Sequence, residues 1–394
     1  MRGENVLTLA VAGSGKTKQI VDACAAADDG ERILVLTYTM QNQQELRTRL
    51  AVTAGHRHTV EVVGWFTFLI NHFVRPYTPY LFPGRRVGGF ETASGYQQKV
   101  KITEVRRYFT VPGDVRSAHL PHLAVLLNSE ANGRPIARLE RIFDVVYIDE
   151  AQDLTGYDLE VLKLLFDSRI EVRLVGDTRQ ATLSTNPQEP KNKGYRGERI
   201  VDWFREQERG GRLRIEHSAE TWRCRPEIAA FADDLFDANR GYAATESKNT
   251  TVTDHDGLYL VRSEHVDAYV AAFAPQPLRA SKSSGKAHDH LPFMNFGIAK
   301  GSSRQRVLVF PTAPIRDLLQ KGKPLAAAST MGLYVAVTRA RQSVAFILDE
   351  PGISPLPYWR PDDVLDTAIE EEPPGGPADD LRSRLTATVA ARSR

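Results

Sequence analysis

The stretch Ala10-Val11-Ala12-Gly13-Ser14-Gly15-Lys16-Thr17 stands between a short apolar run, Val6-Leu7-Thr8-Leu9, and a segment of helical character, Lys18 to Ala27. Glycines and a Lys-Thr pair at a strand-to-helix turn make a phosphate cradle. Gly13 and Gly15 let backbone N–H groups point at phosphate oxygens, Lys16 reaches the β and γ phosphates, and the Thr17 hydroxyl ligates Mg²⁺. Ala10 stands where this pattern usually has its first glycine. A glycine-rich turn with a surface lysine is the plain alternative, but it leaves both flanks unexplained. A signal peptide is a weaker rival: Arg2 precedes an apolar run ending Ala10-Val11-Ala12, yet the run is short and flows straight into the cradle.

Further along, the apolar strand Phe143 to Ile148 leads into Asp149-Glu150-Ala151-Gln152. A carboxylate at the carboxyl end of a buried strand, in the same sheet as a phosphate loop, is where Walker-B chemistry holds Mg²⁺, and the adjacent Glu150 is placed to orient and deprotonate an attacking water. An acidic turn is common by itself. With the cradle upstream it defines a nucleoside-triphosphatase site. A second polar cluster, Gly176-Asp177-Thr178-Arg179-Gln180, ends the strand Glu171 to Val175; Gln180 can contact a γ-phosphate there, or the cluster is simply a turn with a polar helix cap.

Composition sets the limits. The 394 residues suffice for two domains, and 42% hydrophobic with 25% charged residues is ordinary for a globular protein. A net charge of +2 gives no global polyanion signal, so any nucleic-acid site must be a local groove of Lys and Arg. Cys24 and Cys224 are the two cysteines and lack metal-ligand spacing, which leads us to expect a reducing cytoplasm and no structural metal. No apolar run reaches membrane-spanning length, so no membrane partner is expected.

Strand and helix alternate through the first half: a strand over Arg32 to Tyr38, a polar helix from Gln41 to Leu50, a strand at Glu61 to Val63, and an aromatic helix from Trp65 to Phe73. Trp65 or Phe66 can stack bases, although an aromatic helix more often faces a core. Period is lost from Arg75 to Val115, where Pro, Gly, Tyr and Arg accumulate; a basic insertion of this kind tracks a phosphate backbone or is a solvated face. Ser184 to Gly197 reads as a crossing loop, and strands at Arg212 to Glu216, Leu258 to Val261, Arg306 to Phe310 and Ser343 to Ile347 make the second half α/β as well. Pro275 to His290 has a mobile composition, and prolines and acids dominate from Pro351.

The order of the motifs resembles superfamily 1 DNA helicases of the UvrD/Rep type, over residues 5 to 348. AVAGSGKT is similar to their motif I, LTYTMQNQQELRTRL to motif Ia, VYIDEAQDL to motif II, LVGDTRQAT to motif III, TWRCRPEI to motif IV, IAKGSSRQRVLVFP to motif V and YVAVTRAR to motif VI. The resemblance implies an α/β fold of two tandem RecA-like P-loop domains with parallel sheets and an ATP cleft between them. The domains would be 1–185, with a small insertion at 75–118, and 186–350, before a disordered tail at 351–394. It further implies ATP held by Ala12, Gly13, Ser14, Gly15, Lys16, Thr17, Trp222 and Gly301, and Mg²⁺ held by Thr17 and Asp149. Lys16, Asp149, Glu150 and Gln180 would be catalytic, together with Arg223 and Arg339 as arginine fingers from the second domain. Thr37, Tyr38, Thr39, Trp65 and Lys300 would face single-stranded DNA.

The implied activity is an ATP hydrolase acting as a 3′–5′ single-stranded DNA translocase or helicase. Departures from the family pattern qualify it. Nine residues precede Ala10, so the adenine-reading glutamine motif is not seen and base selectivity is expected to be loose; Trp222 replaces a tyrosine that stacks on the base. Leu183 replaces a base-stacking aromatic, so that platform is expected to be missing or displaced to Tyr195, and Ser303 replaces an acidic ribose contact. Between Phe236 and Gly297 there is no room for the family's large inserted subdomain. The stripped form resembles the helicase-like subunits of phage-defence systems such as Gabija, which work with a nuclease; DNA repair is the other setting implied. The rival is an ATP- and DNA-sensing regulatory subunit that gates a partner nuclease without processive unwinding.

Overall fold

The computed structural model describes residues 3–55, 59–93, 95–97, 99–237 and 240–362. Six strands form the first sheet: β1 (Val6–Ala10), β2 (Ile33–Thr37), β3 (Val60–Gly64), β4 (Val145–Ile148), β5 (Glu171–Gly176) and β6 (Arg214–Ser218). Their order is β3-β2-β4-β5-β1-β6, with every neighbouring pair parallel. All five residues of β2 are buried, as an unbroken apolar run in a parallel sheet covered on both faces requires. Since β1 lies between β5 and β6, the loops after β1, β4 and β5 open on one rim, at the carboxyl ends of the strands.

A second sheet holds β7 (Gly257–Val261), β8 (Gln276–Arg279), β9 (Met294–Asn295), β10 (Arg304–Val309) and β11 (Ala340–Ile347), in the order β7-β11-β10-β8-β9 and again parallel throughout. The molecule is therefore α/β with two RecA-like parallel sheets in tandem. No helix among the described residues is long and apolar enough to cross a membrane.

Several expectations are corrected. A division at 185 would assign Ile200 to Ser218 to the second half, yet β6 pairs with β1, and Trp203, Phe204 and Leu213 are buried in the first core. The aromatic helix does not stop at Phe73: Trp65–Leu69 passes through a π turn, Ile70–Val74, into a further helix, Arg75–Leu81. Pro277 and Leu278 of the segment expected to be mobile pair with β10. The tail begins with structure, for Leu260 donates to the Pro357 carbonyl and Trp359 to the Leu260 carbonyl, leaving Trp359 buried; residues 363–394 lie outside the described residues.

The insertion packs inward. Tyr108, Phe109 and Val115 join the first core, and a short parallel ladder pairs Phe90–Glu91 with Val115–Arg116. Arg107 is buried and donates to the carbonyls of Gln97 and Val100, while Arg85 lies over the Phe109 ring and donates to Thr110, so neither is spread along a phosphate-tracking face. His122 stacks on Tyr157 at 4.1 Å, and burial, reinforced by the Arg107 charge, lowers its pKa to about 4. A histidine depressed in this way is neutral when folded but takes up a proton when unfolded. The stability it contributes is present above pH 6.5 and lost as pH falls toward 4, by about 3 kcal/mol. His122→Phe keeps the stack and is expected to flatten the fall in melting temperature between pH 6.5 and 4; equal slopes for variant and wild type would refute this.

Candidate active site

The cradle is shaped where β1 ends. Gly13 has φ +79° and Gly15 φ +85°, conformations that suit glycine, and the helix Lys16–Ala26 starts directly after them. A Cβ on Gly13 would lie 2.5 Å from Arg223 Cβ and 2.6 Å from Thr221 Oγ1, so only hydrogen fits at this approach. Lys16 Nζ donates to the carbonyls of Ala10 at 3.2 Å and Val11 at 3.1 Å, and burial lowers its pKa against the pull of Asp177, Glu150 and Asp149. Ser14 Oγ is buried with no hydrogen-bond partner among the described residues, an orphan that a phosphate oxygen would satisfy.

Asp149 follows β4 and is held by its own amide donating to Leu36 at 2.9 Å. Glu150 has φ +55°, a left-handed conformation rare for a residue with a Cβ, and its amide donates to Asp149 Oδ1 at 2.9 Å. Burial, then the Glu150 charge, raises the Asp149 carboxyl to about 7. For Glu150 burial acts in the same direction, but Lys300, Lys16 and a hydrogen bond donated by Gln152 Nε2 outweigh it and hold the carboxyl below its ordinary range. Adjacent carboxylates are thus driven apart in proton affinity, and Glu150 is the one kept ionised.

A cleft of about 540 Å³ is lined by Gly13, Gly15, Lys16, Thr17, Asp149, Glu150 and Gln180, with Trp222 and Arg223 beside the cradle and with Gly301, Ser303, Arg339 and Arg341 of the second lobe. Arg339 Nη2 donates to Gln180 Oε1 at 3.1 Å, and Gln180 Nε2 donates to Asp177 Oδ2 at 2.8 Å. Arg223 Nη1 donates to the Thr338 carbonyl at 3.1 Å. Trp222 is 65% exposed beside the cradle, its amide donating to the Gly13 carbonyl at 3.0 Å. Thr221 Oγ1 donates to the Ala12 carbonyl at 2.7 Å, and the Val11 amide to the Ser218 carbonyl at 3.1 Å, so segment 218–223 is stitched to the cradle.

Three participants escaped the sequence reading. The Tyr334 hydroxyl accepts from the Ala12 amide at 3.3 Å and donates to Asp177 Oδ2 at 3.0 Å, linking cradle, sensor turn and the helix that leads to Arg339. Arg179 crosses to Asp233 at 2.6 Å and lies over the ring of Tyr334 at 4.8 Å, fastening the two halves together. Arg341 donates to Ser303 Oγ at 3.1 Å. All three sit inside the quoted motifs, but nothing in the sequence says which neighbours they meet.

The expected strand contacts divide. Tyr38, Thr39 and Lys300 line a second cavity of about 180 Å³ with Leu183 and Ile298. Tyr38 meets Phe66 edge-on at 5.6 Å, and Phe66 meets Phe90 at 5.3 Å, so an aromatic cluster stands beside it. Thr39 caps the helix Met40–Thr53, accepting from the Asn42 amide. Thr37 is buried at the end of β2 and does not line that cavity. Trp65 is 2% exposed, its indole N–H donating to Asp158 at 2.6 Å; a ring enclosed in the core has no free face for a base, which corrects the stacking expectation for it. Lys300 lines the cavity with its ammonium 2.7 Å from Asp153 Oδ2. Tyr195 does not replace the missing platform, since it packs on the first core and donates to Glu206 at 2.8 Å.

Fold and rim together define a two-lobed P-loop protein. A protein-family profile described as an AAA domain matches residues 1–185, the part that carries the cradle, Asp149, Glu150 and Gln180. No curated protein matches the chain. Among solved structures, it is similar to arterivirus nonstructural protein 10, a helicase, at 15% identity over 87% of this chain and 59% of the viral chain, with a TM-score of 0.44. The same helicase in complex with DNA matches at 14% identity over 87% and 60%, with a TM-score of 0.42. The chain thus spans about three fifths of the length of those viral chains.

Proposed function

We propose that this chain hydrolyses ATP to drive movement along single-stranded DNA, as a translocase or helicase of the UvrD type with 3′–5′ polarity. One observation carries the reading: Arg223 and Arg339 line the same cleft as Lys16, Asp149 and Glu150, and Arg339 reaches Gln180 at 3.1 Å. Hydrolysis that needs the Arg339 guanidinium from across a seam is hydrolysis that depends on closure, and closure is the elementary step of a motor. We divide the lobes at 218–221, where the chain leaves the first sheet.

In this reading Thr17 and Asp149 hold Mg²⁺, which when bound neutralises phosphate oxygens; the orphaned Ser14 hydroxyl and the buried Lys16 ammonium suit a triphosphate. Glu150 accepts the proton of the attacking water, Gln180 contacts the γ-phosphate, and Arg339 and Arg223 counter the charge that grows on the transferred group. Trp222 offers a face to the base, and Gly301 gives the backbone a close approach at φ +84°. Tyr38 and Thr39 meet the strand.

The test is ATP turnover with and without single-stranded DNA. Turnover is expected to rise with DNA and to disappear in Lys16→Ala; a rate indifferent to DNA removes the motor reading. Leu183 in the wall of the 180 Å³ cavity, where the resemblance calls for an aromatic platform, favours a second reading: an ATP- and DNA-sensing subunit that gates a partner nuclease, in phage defence or DNA repair. Displacing a protein block from a DNA end discriminates the two, since a sensor performs no directional work.

A further inference from the structure

The 180 Å³ cavity runs from Tyr38, Thr39 and Ile298, the last 67% exposed, down to the carboxylates of Glu150 and Asp153. Lys300 crosses its floor. Coming from the second lobe, its Nζ lies 2.7 and 2.9 Å from the two oxygens of Asp153 and 3.6 Å from Glu150 Oε2. Side-chain exposure is 6% for Lys300, 2% for Asp153 and 14% for Glu150, so this triad is screened from water.

Asp149, Glu150 and Asp153 crowd three carboxylates into five residues. Buried like charges favour protonation or displacement of one of them unless a cation sits between them. Glu150 needs restraint for a second reason, because its backbone is held at φ +55°. Gln152 supplies one restraint from within the first lobe, and Lys300 supplies the other from across the seam.

We infer that Lys300 is a positioning residue for Glu150, whose ion pair keeps the hydrolytic carboxylate in the cleft while the second lobe is docked, and that it is not a contact to the strand. The inference rests on the hydrolase reading above. It adds a third group to the two arginines by which the second lobe controls turnover, one that acts on the proton acceptor instead of on the phosphate.

The experiment measures ATP hydrolysis and binding of a fluorescent single-stranded oligonucleotide by the full chain carrying Lys300→Met, beside Asp153→Asn, which keeps the ammonium and weakens its anchor. Both are expected to lower kcat by about tenfold or more, with KM for ATP and Kd for the oligonucleotide each within about threefold, and Lys300→Arg is expected to recover part of the loss. A merely structural role would lower the melting temperature and spread the loss over all three constants, which overturns the inference. So does a retained kcat with weakened oligonucleotide binding, the signature of a strand contact. If Lys300→Met does not fold, Asp153→Asn decides alone, an unchanged kcat counting against us. Wild-type protein that hydrolyses no ATP at all refutes the hydrolase reading itself and takes this inference with it.

Discussion

Arg339→Lys is expected to lower ATP turnover by about a thousandfold while leaving the protein folded. The reason is shape, not charge. The Arg339 guanidinium donates from Nε to the Val335 carbonyl at 2.8 Å, from Nη1 to Ser302 at 3.3 Å, and from Nη2 to Gln180 at 3.1 Å. One planar fork therefore spans its own helix, the loop after Gly301 and the opposite wall of the cleft, which a single ammonium cannot do. Holding it there is costly: burial, then the nearby Arg223, pulls its pKa to about 9. A charge kept in so poor a setting points to work beyond the resting fold. Arg339→Met is accordingly expected to melt at or above the wild-type temperature while losing as much turnover as the lysine variant. Single-turnover hydrolysis beside a melting curve checks both halves; a variant that loses stability in step with activity would mean that Arg339 is scaffolding.

Glu150→Gln should reduce turnover by about two to three orders of magnitude and leave nucleotide binding intact. The amide has nearly the size of the carboxylate and can still accept from Gln152, so the cleft keeps its form. What disappears is the ionic attraction to Lys300 and Lys16 and, on the proposed reading, the acceptor for the proton of water. Binding is read from the rise in melting temperature that saturating ATP produces. Turnover within tenfold of wild type would move the proton acceptor elsewhere, and loss of the ATP-induced rise would mean that Glu150 shapes the pocket instead.

How much of this was legible from the chain divides along the range of the forces involved. The cradle, Asp149-Glu150 and Gln180 were readable because each sits where a strand gives way to its loop, and hydrophobic runs mark those junctions locally. That Arg223 and Arg339 would line the cleft was suggested only by the resemblance, since no local pattern separates them from the other arginines of the second half. Trp65 was undecidable: the same aromatic helix serves a core or a strand, and only Asp158, far along the sequence and buried beside it, turns the indole inward. The ion pairs of Lys300 were unreadable for a related reason, because the acids that meet its ammonium belong to the other lobe. The misplaced division at 185 came from β6, whose Arg-Ile-Glu-His-Ser is too polar to advertise that it closes the edge of the first sheet.

The stitching of residues 218 to 223 onto the cradle makes the two arginines unequal. Arg223 hangs on a leash of five residues from the strand that flanks β1, with its neighbours Thr221 and Trp222 bonded to Ala12 and Gly13, whereas Arg339 stands more than a hundred residues downstream on the far side of the second sheet's own turn. If the lobes part about that leash, the contact between Arg339 and Gln180 breaks, while Arg223 is held from both sides, by the stitched segment before it and by its own hydrogen bond to the Thr338 carbonyl at 3.1 Å. On the proposed reading the first would act as the throttle of the machine, the second as the tether between throttle and cradle.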